Sequence, residues 1–476
     1  MKAISHYILA VCLFGFASCE EPLNEEIFSE LAPSTLFTSE SGIEAVLNSA
    51  YAYSHRSGFQ ESWAPYYLQG MTSGEIYGRG GSIESLWTSL ITFTWDANHD
   101  HILAMWTVYY NGIRDANLVL DNLDNDAFSA DFRQRTAAQV HFLRGWNYGE
   151  LYNLFGPVPL YTSSTDDPLQ PRATESEMRA FIENELLQAI EGLPAEPLAY
   201  GKATRGAAMG VLTKFYLNTR QWQEAADMAK RVMDSGDYGL VEDYADVFAV
   251  ANEGNEEMVW ALPKSAVSPS TSQGINALLF PPDYPRPYPN NGVFAARTYL
   301  YDDFVNSFGD TDTRRELIVT EYTSTASGEV VVGLGNDQSF PYKYEFDPNS
   351  VGFNAGNDLP MVRYADILIS RAEALNELNG PSQEAIDLVN MVRQRAGADP
   401  LQLADYDQSS LRDAILRERE WEFWFESKQR EDQRRHDRFI PQARARGHNA
   451  EDFRVLFPLP QVEIDANGLL EQNPGY

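Results

Sequence analysis

"KATRGAAMGVLTKFYLNTRQWQEAADMAKRVMDSG", residues 202–236, decides how the rest of this 476-residue chain is read. Two apolar-periodic runs of about fifteen residues meet at Thr219-Arg220-Gln221. Ala and Gly crowd the first run, and such small residues let two helices approach closely. Leu212, Tyr216, Trp222, Ala225 and Ala229 fall where each helix would press a face on the other. The stretch predicts a helix–turn–helix hairpin.

These positions match the packing places of a tetratricopeptide hairpin, a unit that buries its apolar face only by stacking on neighbours. The pattern returns in "RYADILISRAEALNELNGPSQEAIDLVNMVRQRAG", residues 363–397, where Ala385 takes the part of Ala225. Two further helical pairs can be drawn around residues 133–190, making about four unevenly spaced units. Upstream, "SESGIEAVLNSAYAYSH" (39–55) predicts a helix capped by Ser39 or Ser41, with Ile43, Val46, Leu47, Ala50 and Tyr51 on one face. "HDHILAMWTVYYNGIRDANLVLDNL" (99–123) predicts a second, with Ile102, Met105, Trp106, Tyr109, Ile113 and Leu120 inward. "FRQRTAAQVHFLRGWNYGELYNLFG" (132–156) predicts a third that stops at Gly156-Pro157. Residues 58–98, rich in glycine and aromatics, show no such period. Residues 263–357 also break the pattern, with many Pro, Gly, Asn and Tyr and short strand candidates such as Glu329–Val332. The fold class expected is mainly α: tetratricopeptide-like hairpins with a long irregular insertion containing short β-strands. The expected division is a helical region over 38–240 and a second region over 241–476 that carries the insertion.

The N-terminus asks a separate question. In "LAVCLFGFASCEEP" (9–22) an apolar run meets Cys19 and turns acidic at once. A core segment, an ordinary secretory signal and a lipid attachment point compete. The run from Ile8 to Ala17 is too short for a bilayer, which needs about 20 residues, and it follows the positive charge of Lys2. That suits a signal peptide. Phe16-Ala17-Ser18-Cys19 resembles a bacterial lipobox, with Phe16 where Leu is commoner. The expectation is a signal peptide over 1–18, lipidation at Cys19 and an acidic tether over 19–37. Cys12 would leave with the signal, and one remaining cysteine forms no internal disulfide. No later stretch is long and apolar enough to be a membrane helix.

With 69 acidic and 36 basic residues the formal charge is −33. Such a surface repels phosphate backbones, so nucleic acid is excluded as a partner. Aromatics are abundant, with 25 Tyr, 25 Phe and 9 Trp, and two stretches mix them with turn residues and polar groups. One runs from Glu61 to Trp87 and offers Trp63, Tyr66, Tyr67, Tyr77, Arg79 and Trp87. The other, "FPPDYPRPYPNNGVF" (280–294), offers Tyr284, Arg286, Tyr288, Asn290 and Asn291. A sugar ring has apolar C–H faces and a hydroxyl rim, so it stacks on aromatics while amides, carboxylates and guanidiniums fix its edge. Lacking amphipathic period, both stretches are expected to expose some rings as a ligand platform; core packing is the competing reading for each residue.

Other chemistry is not selected. A glycoside hydrolase needs two carboxyls at a set separation in a cleft, and 69 acidic residues supply pairs by chance. His99-Asp100-His101 stands at a helix start, where capping explains it. Asn122-Leu123-Asp124-Asn125-Asp126 lacks the glycine and closing glutamate of a calcium loop, and no Gly-Lys-Ser/Thr follows Gly78-Arg79-Gly80-Gly81. No catalytic residue, metal ligand or cofactor is expected. Arg412, Arg417, Arg419, Arg434 and Arg435 alternate with Glu418, Glu420, Glu422 and Glu431, which reads as an ion-paired helix surface or a structural signature.

Several ordered motifs together carry a resemblance. "FLRGWNYGELYNLFGPVPLYT", "ATRGAAMGVLTKFYLNTRQWQEAADMA", "RYADILISRAEALNEL" and "LRDAILREREWEFWFESKQREDQRRHDRFI" occur in that order. The last contains an R-E-R-x-x-E-x-x-F-E run and an R-x-D-x-x-R element carried by Arg430, Asp432 and Arg435, and "LFPLPQVEIDANGLLEQNPGY" ends the chain. With Cys19, this resembles the SusD/RagB family of outer-membrane nutrient-binding lipoproteins; Asp437 stands where a glycine is often found. The resemblance implies a non-enzymatic glycan binder anchored by lipid on the outer face of the outer membrane. It implies a partner, a SusC-like TonB-dependent transporter, over which the protein acts as a lid. Glu20 and Glu21 then resemble a surface-export signal. A secreted tetratricopeptide-type adaptor that binds peptides is the alternative.

Overall fold

The computed structural model describes residues 36–56 and 59–476. The expected signal peptide, Cys12, Cys19 and the tether up to residue 35 lie outside the described residues.

The chain opens with α1 (Glu40–Ser54), α2 (Phe59–Ser73), β1 (Ile76–Arg79) and α3 (Glu84–Ile91). Five more helices follow: α4 (Asp100–Asp121), α5 (Ala130–Phe155), α6 (Glu175–Gly192), α7 (Arg205–Asn218) and α8 (Trp222–Ser235). Strand β2 (Met258–Leu262) leads into the insertion, which holds β3 (Arg297–Leu300), the one-turn α9 (Asp302–Val305), β4 (Ile318–Val319), β5 (Glu321–Thr323), β6 (Val330–Val332) and β7 (Phe340–Pro341). Strand β8 (Leu359–Arg363) leaves it and runs into α10 (Tyr364–Asn379), α11 (Gln383–Arg395), α12 (Gln408–Phe423), α13 (Gln429–Arg435), α14 (Phe439–Ala445) and α15 (Gln461–Ala466).

The helices pack in a continuous series. α1 packs on α4, and α4, α5, α6, α7 and α8 each pack on the next; α8 then packs on α10 and α10 on α11. Side-chain caps set the starts: Ser39 accepts from the Gly42 amide, Thr204 from Ala207 and Ser382 from Ala385. Gly156 ends α5 at φ +74°, a conformation glycine adopts without strain. The α7–α8 hairpin turns at Thr219-Arg220-Gln221 as expected, burying Leu212, Tyr216, Ala225 and Ala229. Ala385 is likewise buried in the α10–α11 pair.

The insertion leaves and returns at one place. β2 and β8 pair antiparallel, with Leu262 opposite Leu359, so residues 263–358 loop out from a single buried ladder. The expected strand at Glu329–Val332 is β6, hairpinned on β5. Residues 58–98, which show no helical period in the sequence, nonetheless hold α2, β1 and α3. From Ser62 to Ser73 every residue of α2 is buried. A helix covered on all sides carries no polar stripe, so the amphipathic period is lost through burial.

Much of the arginine–glutamate alternation is interior: Glu418, Arg419, Glu422 and Arg435 are buried, while Arg417 is exposed and pairs with Glu420 at 2.6 Å on the helix surface. Glu418, Glu422 and Glu426 recur every fourth residue and are all buried. Arg314 bridges Glu418 (2.6 Å) and Glu422 (3.1 Å), while Arg363 bridges Glu422 (3.0 Å) and Glu426 (2.8 Å) and also pairs with Glu257. On the other side Arg419 holds Asp366 (2.9 Å) and Asp432 (2.8 Å), and Arg435 holds Glu373 (2.6 Å). The network ties the end of α12 to the insertion, β8, α10 and α13. Asp437, at φ +55°, occupies the left-handed region that glycine favours and that Asp tolerates. The terminal motif is a clasp: Gln472 brackets the backbone of Leu459, Asn473 donates to the carbonyls of Phe155 and Phe457, and Tyr476 receives the Trp95 indole N–H at 2.8 Å.

Candidate functional site

Strand β1 sits on the insertion through β3, antiparallel, with Tyr77 opposite Tyr299 and Arg79 opposite Arg297. Alternation sends Ile76 and Gly78 into the core and leaves Tyr77 half-buried and Arg79 exposed. The Tyr77 and Tyr299 rings stack at 5.4 Å and 28°, and Tyr301 lies 5.0 Å from Tyr77. The Arg79 guanidinium covers Tyr299 at 5.4 Å, a cation–π arrangement. The Tyr77 hydroxyl donates to the Asp337 carbonyl, and Asp337 and Asp302 exchange amide-to-carboxylate hydrogen bonds of 2.7 and 3.0 Å that fix this corner. Beside Tyr299 lies a pocket of about 110 Å³, bounded by Tyr322, Glu321, Thr320 and Gln338. The Tyr322 hydroxyl donates to Asp283 at 3.1 Å, and the Tyr322 ring meets Tyr284 at 5.4 Å.

The result is a tyrosine face with amide, carboxylate and guanidinium groups at its edge. Burial pushes the Tyr77 phenol up to about 12. Burial, then the hydrogen bond to Asp283, does the same for Tyr322. Both rings are therefore neutral throughout the physiological range, and stacking on them is expected to be flat between pH 6 and 9.

The residues expected from the sequence separate into three groups. Tyr77, Arg79 and Tyr284 belong to this face. Arg286, Tyr288, Asn290 and Asn291 form the adjoining proline-rich loop, and the polar three hold the loop itself. Arg286 donates to the Asn291 carbonyl at 2.6 Å, Asn290 to the Ser350 carbonyl and Asn291 to the Asp347 carbonyl at 3.2 Å. Asn291 is buried, while Tyr288 packs one side on the core.

Trp63, Tyr66, Tyr67 and Trp87 are a correction. All four are at most 5% exposed. Tyr67 stacks on Trp87 at 4.8 Å and donates or accepts at Thr298, Trp63 edges Tyr67 and His101, and Tyr66 shares a hydroxyl contact with Tyr344. These rings hold β1 and α2 together and have no face left for a ligand. Tyr299, Tyr301 and Tyr322 were not singled out by the sequence reading. Their signal is the alternation in "RTYLYDD" (297–303), which sets Tyr299 and Tyr301 two residues apart.

His99 caps α4, its Nδ1 accepting from the His101 amide at 3.3 Å, and His101 is buried. Among the described residues no group of three metal-binding side chains converges, and no helix is long and apolar enough to cross a membrane.

Residues 230–476 match the family model described as the SusD family. The chain belongs to the SusD family. Residues 23–217 match a second model, described as starch-binding associating with outer membrane. Among SusD-like relatives, SusD-like protein P25 of Formosa agariphila is 27% identical over the whole of both chains. SusD-like protein P2 of the same organism is 26% identical over 98% of each. A laminarin binding SusD-like protein of known structure superposes with a TM-score of 0.79 at 23% identity, covering 92% of this chain and 99% of its own. Surface glycan-binding protein A from Bacteroides thetaiotaomicron, solved in complex with laminarihexaose, gives 0.77 at 21% identity, covering 91% and 99%. At these identities the two structures share the SusD fold with this chain.

Proposed function

We propose that this protein is a non-enzymatic, cell-surface glycan-binding lipoprotein that delivers oligosaccharide to a SusC-like TonB-dependent outer-membrane transporter. The observation that carries the binding role is the stacked Tyr77–Tyr299 pair, half-exposed on a two-stranded ladder and ringed by Arg79, Asp337, Glu321 and Gln338. A flat aromatic face with a polar edge is the complement of a pyranose ring, and the paired strands β1 and β3 hold it in place. The two solved relatives named for laminarin and laminarihexaose support a glucan as the first ligand to try.

Calorimetry of the mature protein against laminari-, malto- and cello-oligosaccharides tests the reading. Binding to at least one series is expected, and no heat with any of them would refute a glucan ligand. Reducing ends are expected to stay constant during incubation; their growth in proportion to purified protein would overturn the non-enzymatic part.

The lipid anchor rests on the lipobox-like Phe16–Cys19 run and the family description of outer-membrane association. Cys19→Ala is expected to move the protein out of the membrane fraction or leave the signal uncleaved, since the proposed attachment is the acylated cysteine. A processed Cys19→Ala protein that stays membrane-bound without its transporter would contradict the anchor.

A further inference from the structure

A cavity of about 400 Å³ opens between α5, α7 and α13 and shares no lining residue with the pocket beside Tyr299. Its size falls in the range of small-ligand sites, roughly 300–1,000 Å³. Arg220, Asp437 and Val455 are exposed at its mouth, and Trp146, Val211 and Phe215 form an apolar wall.

The floor is what sets this cavity apart. Arg56, Gln69 and Ser427 all line it, and all three are more than nine-tenths buried. Arg56 spends Nε on the Tyr109 hydroxyl (2.9 Å) and Nη2 on Glu150 (2.8 Å), but its Nη1 has no hydrogen-bond partner among the described residues. Gln69 Oε1 and Ser427 Oγ have none either. Leaving a buried polar atom unmet is costly, so three among the buried residues that line one cavity mark a place built for a guest. Their chemistry is complementary: a cationic donor, an acceptor and a hydroxyl.

Arg434 also lines the cavity. Arg434 donates to the backbone and side-chain oxygens of Asn153, and no carboxylate pairs with it among the described residues. Its neighbour Glu431 is occupied by the amides of Asn153 (2.6 Å) and Asn218 (2.9 Å). The space itself is kept open by Gly149, deep inside α5. A Cβ built there meets nothing within 4 Å. Glycine inside a helix is less stable than alanine, and no neighbouring atom requires it here.

We infer that this cavity is a second ligand site, which takes one small hydroxylated carboxylate of the size of a single sugar acid. Arg56 and Arg434 supply the charge that a carboxylate matches best. Gln69 and Ser427 meet its hydroxyls, and its carbon skeleton lies on Trp146 and Phe215. In a chain of charge −33 anions are repelled in general, so one that binds reports a specific site.

The test is calorimetry of the mature protein at low salt with D-glucuronate, D-glucose and inorganic phosphate, on wild type, Gly149→Leu and Arg434→Gln. Wild type is expected to bind glucuronate, with glucose and phosphate at least tenfold weaker. Gly149→Leu is expected to abolish this binding while melting no lower than wild type. Arg434→Gln should weaken it at least tenfold, which keeps the proposal testable if the leucine variant misfolds. Glucan binding at the tyrosine face should be unchanged in both, so the two sites fail independently. Absence of glucuronate binding in wild type, or undiminished binding in Gly149→Leu or Arg434→Gln, overturns the inference. So does phosphate or glucose binding as tightly as glucuronate, which would make the cavity a plain anion hole or a neutral-sugar site.

Discussion

Arg363→Met is expected to cost roughly 3–5 kcal/mol of stability, the toll of stranding buried carboxylates by removing one partner. Arg363 is fully buried and holds Glu257, Glu422 and Glu426 at once. Its loss leaves Glu422 to Arg314 and Arg395, and Glu426 to Lys343. The measurement is the urea midpoint, with an unchanged slope showing that stability and not compactness moved. A loss under about 1 kcal/mol would be what an exposed pair gives and would contradict an interior network.

The same network fixes how stability depends on pH. Burial pushes the Glu422 carboxyl up, but the guanidiniums of Arg395, Arg363 and Arg314 outweigh it and hold it down at about 2. Burial also opposes the charge on Glu373 and Asp366, and Arg435 and Lys214 respectively lead the cations that keep both carboxyls well below their usual range. A folded-state value below the unfolded one, about 4.3 for Glu, stabilises the protein fully above that pH. The stabilisation drains away as pH falls from about 4.3 towards 2, because the unfolded chain takes up protons first. Acid unfolding in that window is expected in wild type. In Arg363→Met the stability lost as pH falls from about 4.3 to about 2 should be smaller, since part of the linkage is already gone.

Why some of this was legible in the sequence and some was not follows from where each signal lives. The α7–α8 hairpin was readable because its two helices pack on each other across a three-residue turn. Three- and four-residue spacing of Leu212, Tyr216, Ala225 and Ala229 is then a local record of a local contact. Helix α2 was not readable, since cover on all sides erased the contrast between faces. The Glu418, Glu422 and Glu426 series had the right period but the wrong environment. Its partners Arg314, Arg363 and Arg395 come from three other elements, and a solvated face and an interior network share one alternation. The tyrosine face is the extreme case. Tyr77 and Tyr299 meet through four paired residues contributed by strands more than 200 positions apart, which no local pattern records.

That register separates two aromatic layers, and substituting one residue from each distinguishes them. Tyr299→Ala removes the ring that both Tyr77 and Arg79 lean on. It is expected to reduce glucan affinity by roughly five- to 150-fold, since losing one stacking aromatic costs on the order of 1–3 kcal/mol. Because Tyr299 is only half-buried, the melting temperature should move little. Trp87→Ala should do the reverse at the fold. Trp87 is completely buried, stacks on Tyr67 and sits where a Cβ on Gly78 would strike its ring at 2.3 Å. Removing it opens a cavity under β1 at a cost of about 3–5 kcal/mol. At a temperature where Trp87→Ala is still folded, its glucan affinity should stay near wild type if β1 keeps its register on β3. Calorimetric affinity and thermal melting on both variants decide the matter. If Tyr299→Ala melts early and binds normally, the stacked tyrosines are core and the platform lies elsewhere. If Trp87→Ala binds tenfold more weakly while fully folded, the buried layer positions the face, and the separation of packing from binding fails.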